Sequence, residues 1–330
     1  MEDLPPEPRT VALHDIPKWR RGNKYILAGY RPLKADYRHV IKSLNFLHNE
    51  TWNIYTHLIG AVLLLPYATT ILRTIAGPQY INVTGTDFIM FNIFFCSAES
   101  CLTFSAVYHL FGSHSYEVEQ LWHQRDLLGI VILTVGTFIP GIYYIFYCNP
   151  SLERFHWTVV IFCGSATAAF VSISKFRTLR WRKARIGAYV ALGASALIPL
   201  LHGVQVYGLE YMLEYSGMKW YLVELLLYGG GCGIYAFRIP ERIAPGHFDI
   251  CSGSILVKVQ ADAPITRTIF GQGYRTPVRH DYITNFFIYT AAISAAERAA
   301  YFESIRRQSS KRGYAMLALS NPSWQPHYSA

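Results

Sequence analysis

Six windows of mostly apolar residues recur along the chain, at about 53–72, 88–112, 127–148, 157–174, 186–208 and 220–237. Each approaches the roughly 20 residues that a helix needs to cross the hydrocarbon of a bilayer. Composition agrees: 52% of the residues are hydrophobic and only 15% charged, against about 25% charged in a soluble chain. The stretches Val62-Leu63-Leu64-Leu65 and Leu225-Leu226-Leu227 are apolar around the whole helix, as lipid-facing or bundle-core segments are. Pro66, Pro140 and Pro199 fall inside windows, where neighbouring helices can re-satisfy the backbone groups that proline frees. The pattern predicts an all-α fold, an integral membrane helical bundle.

Charge orients it. Nine Lys and Arg precede the first window, six lie between Lys175 and Arg185, and Arg125, Arg238 and Arg242 join them if the N-terminus is cytosolic. The opposite face then holds only Arg73, Arg154 and Lys219. Basic bias in short loops sets topology, so a cytosolic N-terminus is expected. The sequon Asn82-Val83-Thr84 falls on the other side, in agreement. The net charge of +9 then reads as an attraction to inner-leaflet headgroups, and no nucleic acid is expected as a partner. Before the first window, Tyr37, Val40, Ile41, Leu44 and Leu47 repeat at helical spacing among polar residues, which predicts a short amphipathic helix on the inner face. The N-terminus shows no apolar core of a cleaved signal peptide. The six cysteines mostly fall inside apolar windows without CxxC spacing, which reads as free thiols.

Ionisable residues inside spans are functional candidates because lipid makes them costly. Ser105 and His109 stand one helical turn apart at the close of the second window, and so share a face. Asp126, seventeen residues on, is expected to open the third span near the same surface. An imidazole can hold zinc and a carboxylate can orient a metal-bound water, but on spacing alone a His and an Asp at helix ends are more often structural or interfacial. His57, Glu99 and His202 read as hydrogen-bonded structural residues.

Several ordered motifs carry a resemblance. Gly29-Tyr30-Arg31-Pro32, His48-Asn49-Glu50-Thr51-Trp52-Asn53-Ile54-Tyr55-Thr56-His57, the Ser105 to His109 cluster and Asp126 come first. Arg238-Ile239-Pro240-Glu241-Arg242 and Pro245-Gly246-His247-Phe248-Asp249-Ile250 follow. Together they resemble the progestin and adipoQ receptor / hemolysin-III-like family, most closely its adiponectin-receptor and fungal branch. The resemblance implies a seven-helix architecture with a cytosolic N-terminus. It implies zinc held by His109 and by a His-x-x-x-His on the seventh helix, with Asp126 orienting the metal-bound water and Ser105 supporting the site. It implies links to receptor signalling, lipid metabolism and zinc homeostasis. Through a likeness to alkaline ceramidases, it also implies zinc-assisted hydrolysis of a lipid amide such as ceramide.

The resemblance runs to Ser254. Beyond it, Ile255 and Val259 stand where the two histidines of the seventh helix belong, and Lys258, Asp262, Pro264 and Arg267 interrupt the apolar span. The next apolar stretch, 285–296, is too short to cross comfortably. His247 and His280 have no spacing that makes them substitute ligands. The expected organisation is therefore a cytosolic tail over 1–36, a family-like bundle over 37–254 and a divergent C-terminal tail over 255–330, with six clear spans and the seventh lost. The tail would arise from a splice variant, a retained intron or a gene-model error. Three functional readings follow: a receptor-like membrane protein, a zinc-dependent ceramidase-like hydrolase with an incomplete site, and an inactive variant.

Overall fold

The computed structural model describes residues 8–78, 83–214, 216 and 218–250. Among these, nine α-helices carry the architecture and no strand forms; one isolated bridge pairs Val11 with Tyr30. A short α1 (Tyr37–Lys42) precedes α2 (Thr51–Ile75), α3 (Gly85–Phe111), α4 (Tyr116–Ile145) and α5 (Pro150–Ser172). Then come α6 (Arg182–Ala194), α7 (Leu197–Tyr207), α8 (Leu209–Glu214) and α9 (Met218–Phe237). Among the described residues, five segments are long and apolar enough to cross a membrane: α2, α3, α4, α5 and the stretch Leu179–Tyr207. The sixth window corresponds to α9, whose apolar part, Tyr221–Phe237, is shorter. The expected loss of a seventh span and the divergent tail lie outside the described residues.

Polar residues set the helix ends. Asp87 accepts from the backbone and hydroxyl of Thr84 at 2.7 Å each and closes a capping box at the head of α3. Asn149 accepts from the amide of Leu152 ahead of Pro150, which opens α5. Ser115 caps α4 through the amide of Val118, with Glu117 and Glu119 in the first turn. This corrects one expectation. Asp126 does not open its helix but lies almost three turns inside it, because α4 begins at Tyr116. An apolar window registers only the part of a helix that meets hydrocarbon, and the polar first turns of α4 fall before it.

The Leu179–Tyr207 span is two helices. The chain leaves α6 at Ser195 and re-enters helix at Leu197. Pro199 has no amide hydrogen to give to Ser195, and its ring crowds the carbonyl four residues back, so the helix breaks there. The amphipathic helix expected before the first span is α1 followed by a 3-10 turn over Ser43–Asn45. Val40 is its buried residue, while Tyr37 and Ile41 are half exposed.

Helices α3 and α4 make the most extensive contact in the molecule. They approach closely because small residues face each other. A Cβ on Gly136 would overlap the Ser97 side chain, and one on Gly129 would stand 3.1 Å from the Cys101 backbone. Close backbone approach through small residues is how helices associate where lipid supplies no hydrophobic drive. One apolar cluster joins Leu64, Ala68 and Ile71 of α2 to Phe91 and Phe95 of α3. A second gathers Ile142, Phe146, Val160, Leu200 and Met212 from α4, α5, α7 and α8. Val62, Leu65, Phe162 and Leu201 are exposed, as side chains facing acyl chains are.

The segment before α1 folds against the bundle. Val11 and Tyr30 exchange backbone hydrogen bonds of 2.7 and 3.1 Å, and Ile16, Ile26 and Tyr30 form a small core beneath. Gly29 turns at φ +79°, a conformation that favours glycine, so that its carbonyl can accept from the amide of Asn49 at 2.8 Å. The far end of the described chain holds this segment. Asp249 accepts from the amides of Leu27 and Ala28 at 2.8 and 2.9 Å, and the Arg238 guanidinium donates to the carbonyl of Gly22 at 2.8 Å.

Candidate functional site

The C-terminal end of α3, the N-terminal ends of α2 and α4 and the folded N-terminal segment meet at one end of the bundle. An α-helix leaves its last carbonyls without intrahelical donors. At the end of α3 the Arg31 guanidinium supplies them, donating to the carbonyls of His109 at 2.6 Å and Leu110 at 2.8 Å, and to the Ser43 hydroxyl at 2.9 Å. Arg31 is 2% exposed. Burial pulls its guanidinium down to about 10 and the Glu50 carboxylate opposes that fall, so it stays charged at neutral pH.

Glu50 sits at the head of α2 and faces His109. Its Oε2 lies 2.8 Å from His109 Nδ1 and accepts from the Asn53 amide at 2.6 Å. Burial alone would raise this carboxyl. The His109 charge and hydrogen bond, the Asn53 bond and the Arg31 charge overcome it and hold Glu50 below the usual carboxylate range. An ionised carboxylate only accepts, so His109 Nδ1 carries the hydrogen between them. This fixes the ring's orientation and makes Nε2 the nitrogen a ligand would meet. A carboxylate bonded to the second nitrogen is the usual support of a metal-ligating histidine.

A second polar group adjoins the first. Tyr108 stacks on His123 of α4 with centroids 5.2 Å apart and lies beside Glu119. Glu119 in turn lies 4.0 Å from His123 Nδ1 and accepts from Gln120 at 2.7 Å. Asp126 is within electrostatic reach of Tyr108, His123 and Tyr189, and His123 also feels His109. The structure therefore brings His109 and Asp126 to the same end, each within electrostatic reach of His123. Ser105 is buried one turn deeper in α3. Arg20 enters from the N-terminal segment; burial lowers its guanidinium, while Glu50, Tyr108 and Glu119 draw it the other way.

Glu50, Arg31, Arg20, Tyr108, Glu119 and His123 were not singled out by sequence reasoning. Glu50, Arg31 and Tyr108 belong to the ordered motifs, and that is the available signal. Of the other expected structural residues, His202 pairs with His156 at 3.0 Å and Glu99 bonds Thr103 at 3.2 Å. The His57 ring lies 6.4 Å from that of His109. His280 lies outside the described residues.

The haemolysin-III related family matches residues 45–254 of the chain. The chain belongs to that family. The match ends at Ser254, where the resemblance read from the sequence also ends. Among relatives of this family member, the adiponectin receptor protein of Drosophila melanogaster is 34% identical over 236 residues, covering 72% of the chain and 52% of the relative. The ADIPOR-like receptor IZH2 of Saccharomyces cerevisiae is 34% identical over 243 residues, covering 73% and 76%. The progestin and adipoQ receptor-like protein 1 of Caenorhabditis elegans is 33% identical over 242 residues, covering 73% and 55%. The chain thus spans about half the length of the fly and worm relatives it matches. Family and spans together make it an integral, multi-pass membrane protein.

The zinc that the resemblance implies can be tested against the side chains. Among the described residues, no group of three His, Cys, Asp or Glu is placed to hold a metal ion. A catalytic zinc site takes three protein ligands. His109, with its carboxylate support, is one imidazole of the right kind; alone it does not make a site. Nor do two histidines stand four residues apart anywhere in the sequence. The described residues do not fit a zinc ion, and no reaction step is derived through one.

Proposed function

We propose that this chain is a receptor-like membrane protein of the adiponectin-receptor branch, linked to lipid signalling and lipid metabolism, with its N-terminus in the cytosol. One observation carries the reading: Arg31 and Glu50, both from outside the spans, grip the end of α3 at His109. A change in α3 moves His109 and Leu110, the partners of Glu50 and Arg31, and so reaches the extramembrane segment directly. Buried charge pairs suit such a switch because losing one partner is costly, which keeps intermediate arrangements sparse. Amide lipids such as ceramide are the ligand class to try first.

The test uses the full chain in phosphatidylcholine nanodiscs, with and without ceramide. Hydrogen exchange of residues 8–50 reads the switch, and release of free fatty acid reads hydrolysis. Ceramide-dependent protection that Glu50→Gln abolishes, without fatty acid release, supports the receptor reading. No change in exchange on adding ceramide overturns it for this lipid class.

A second reading, a zinc-dependent ceramidase-like amide hydrolase, is favoured by the carboxylate–histidine pair and opposed by the missing ligands. In it His109 is the zinc ligand, Asp126 the water-orienting acid and Ser105 a supporting residue, and the reading extends to zinc homeostasis. Zinc content of the purified chain beside His109→Ala decides it. Near-stoichiometric zinc that vanishes in the mutant supports this reading, and a folded, zinc-free protein ends it.

A further inference from the structure

The connection between α5 and the next span is short. Helix α5 ends at Ser172 and the span resumes at Leu179. A link of that length keeps its side chains close to the membrane surface. It is also the most basic stretch of the described chain, with Lys175, Arg177, Arg180, Arg182, Lys183 and Arg185 in close succession.

Those six cations divide into two sets. Three are tied to backbone oxygens. Arg177 donates to the carbonyl of Ser172 at 2.6 Å, where it caps the end of α5. Arg185, 7% exposed, donates to the carbonyls of Phe176 and Thr178 at 2.6 and 2.9 Å. Arg182 donates to the carbonyl of Tyr235 at 2.6 Å and lies over its ring. These three fix the fold of the loop. Lys175, Arg180 and Lys183 are exposed, and no acidic side chain pairs with them among the described contacts.

Apolar groups complete the surface. Phe170, Phe176 and Trp181 stack together, Phe176 at 4.7 Å from each of the other two rings, and give the loop a rigid base. Ile173 and Leu179 are about half exposed, at 49% and 55%. An interfacial aromatic with exposed aliphatics and unpaired cations is the chemistry of a membrane-surface contact.

We infer that the loop over residues 173–183 is a binding site for anionic phospholipid headgroups of the adjoining leaflet: Lys175, Arg180 and Lys183 take the phosphates, and Ile173 and Leu179 enter the acyl region. This site lies on a different connection from the His109 cluster and does not depend on the function proposed above. The basic bias of short loops also makes this leaflet the cytosolic one, where anionic lipid is concentrated.

The test reconstitutes the full chain in nanodiscs of phosphatidylcholine alone and of phosphatidylcholine mixed with phosphatidylserine. Retained phosphatidylserine is counted by native mass spectrometry, and melting is followed in parallel. The wild type should retain phosphatidylserine and melt higher in the mixed discs. Each cation near the surface is worth roughly fivefold in headgroup affinity, so Lys175→Gln/Arg180→Gln/Lys183→Gln should lower retention by about a hundredfold with melting in pure phosphatidylcholine unchanged. If the triple variant does not fold, Arg180→Gln/Lys183→Gln should show the same loss in part. Equal retention by wild type and variants overturns the inference. So does an equal rise in melting temperature produced by inorganic phosphate without anionic lipid.

Discussion

Glu50 shows how one residue can decide the state of its neighbours. Its Oε2 meets both His109 Nδ1 and the Asn53 amide, and Arg31 lies close enough to sense its charge. The Glu50–His109 pair is part-buried, with 29% of the Glu50 side chain exposed, so its loss costs less than the about 3–5 kcal/mol of a fully buried charge pair. Glu50→Ala should lower the melting temperature in detergent, whereas Glu50→Gln keeps an acceptor and should lose less. His48 gives a pH dependence. Its Nδ1 accepts from the amide of Glu50 at 3.1 Å, which requires a neutral ring, and burial with the Arg31 charge beside it pulls its pKa down to about 3. The unfolded imidazole titrates near 6.5. The unfolded chain therefore binds the extra proton first, so stability is fully present above that value and is lost as pH falls towards about 3. Melting measured across that window should decline with acid, and His48→Gln should flatten the slope; an unchanged slope would show that another group sets it. The sequence made His109 visible because an ionisable residue in an apolar window stands out, and Asp126 because it stands immediately ahead of one and matches a family motif. Glu50 stood just outside a window, and its distance from His109 in the chain hid the pair.

Between elements, the α3–α4 contact depends on what is absent from it. Gly136 leaves room for Ser97 that no side chain can share. Overpacking typically costs about 1–3 kcal/mol. Gly136→Val should reduce the folded fraction recovered from membranes, and Gly136→Ala should show the same effect more weakly. Normal yield and melting for Gly136→Val would mean that the helices part without loss. Apolar windows predicted where the spans lie with fair accuracy, since crossing hydrocarbon demands long runs of apolar residues. They misplaced the start of α4, because Ser115, Glu117 and Glu119 build helix outside the apolar run. They also missed the break before α7, since Ser195-Ala196 is as apolar as its surroundings and only Pro199 marks the interruption.

Across the whole molecule, orientation is the property that the basic residues predict and that a glycan can test. With the N-terminus cytosolic, Asn82 lies on the far side. Expression in a glycosylating host should give a product whose mobility shifts on enzymatic deglycosylation, and Asn82→Gln should lose the shift. A glycan on a sequon engineered at the N-terminus would reverse the orientation. The N-terminal segment is also tied to the far end of the described chain. Asp249→Asn weakens its acceptance from Leu27 and Ala28, so amide exchange at those two residues should speed up while that of α3 stays unchanged. Exchange at the wild-type rate would assign the anchoring to Arg238 instead. That clasp places a condition on biosynthesis. Leu27 and Ala28 find their anchor only after Asp249 has been made, 222 and 221 residues later, and at about 5–20 residues per second they wait roughly 10–45 seconds. During that interval the amides of Leu27 and Ala28 lack the Asp249 carboxylate, so the young protein carries an unfastened N-terminal segment that the finished one has clasped.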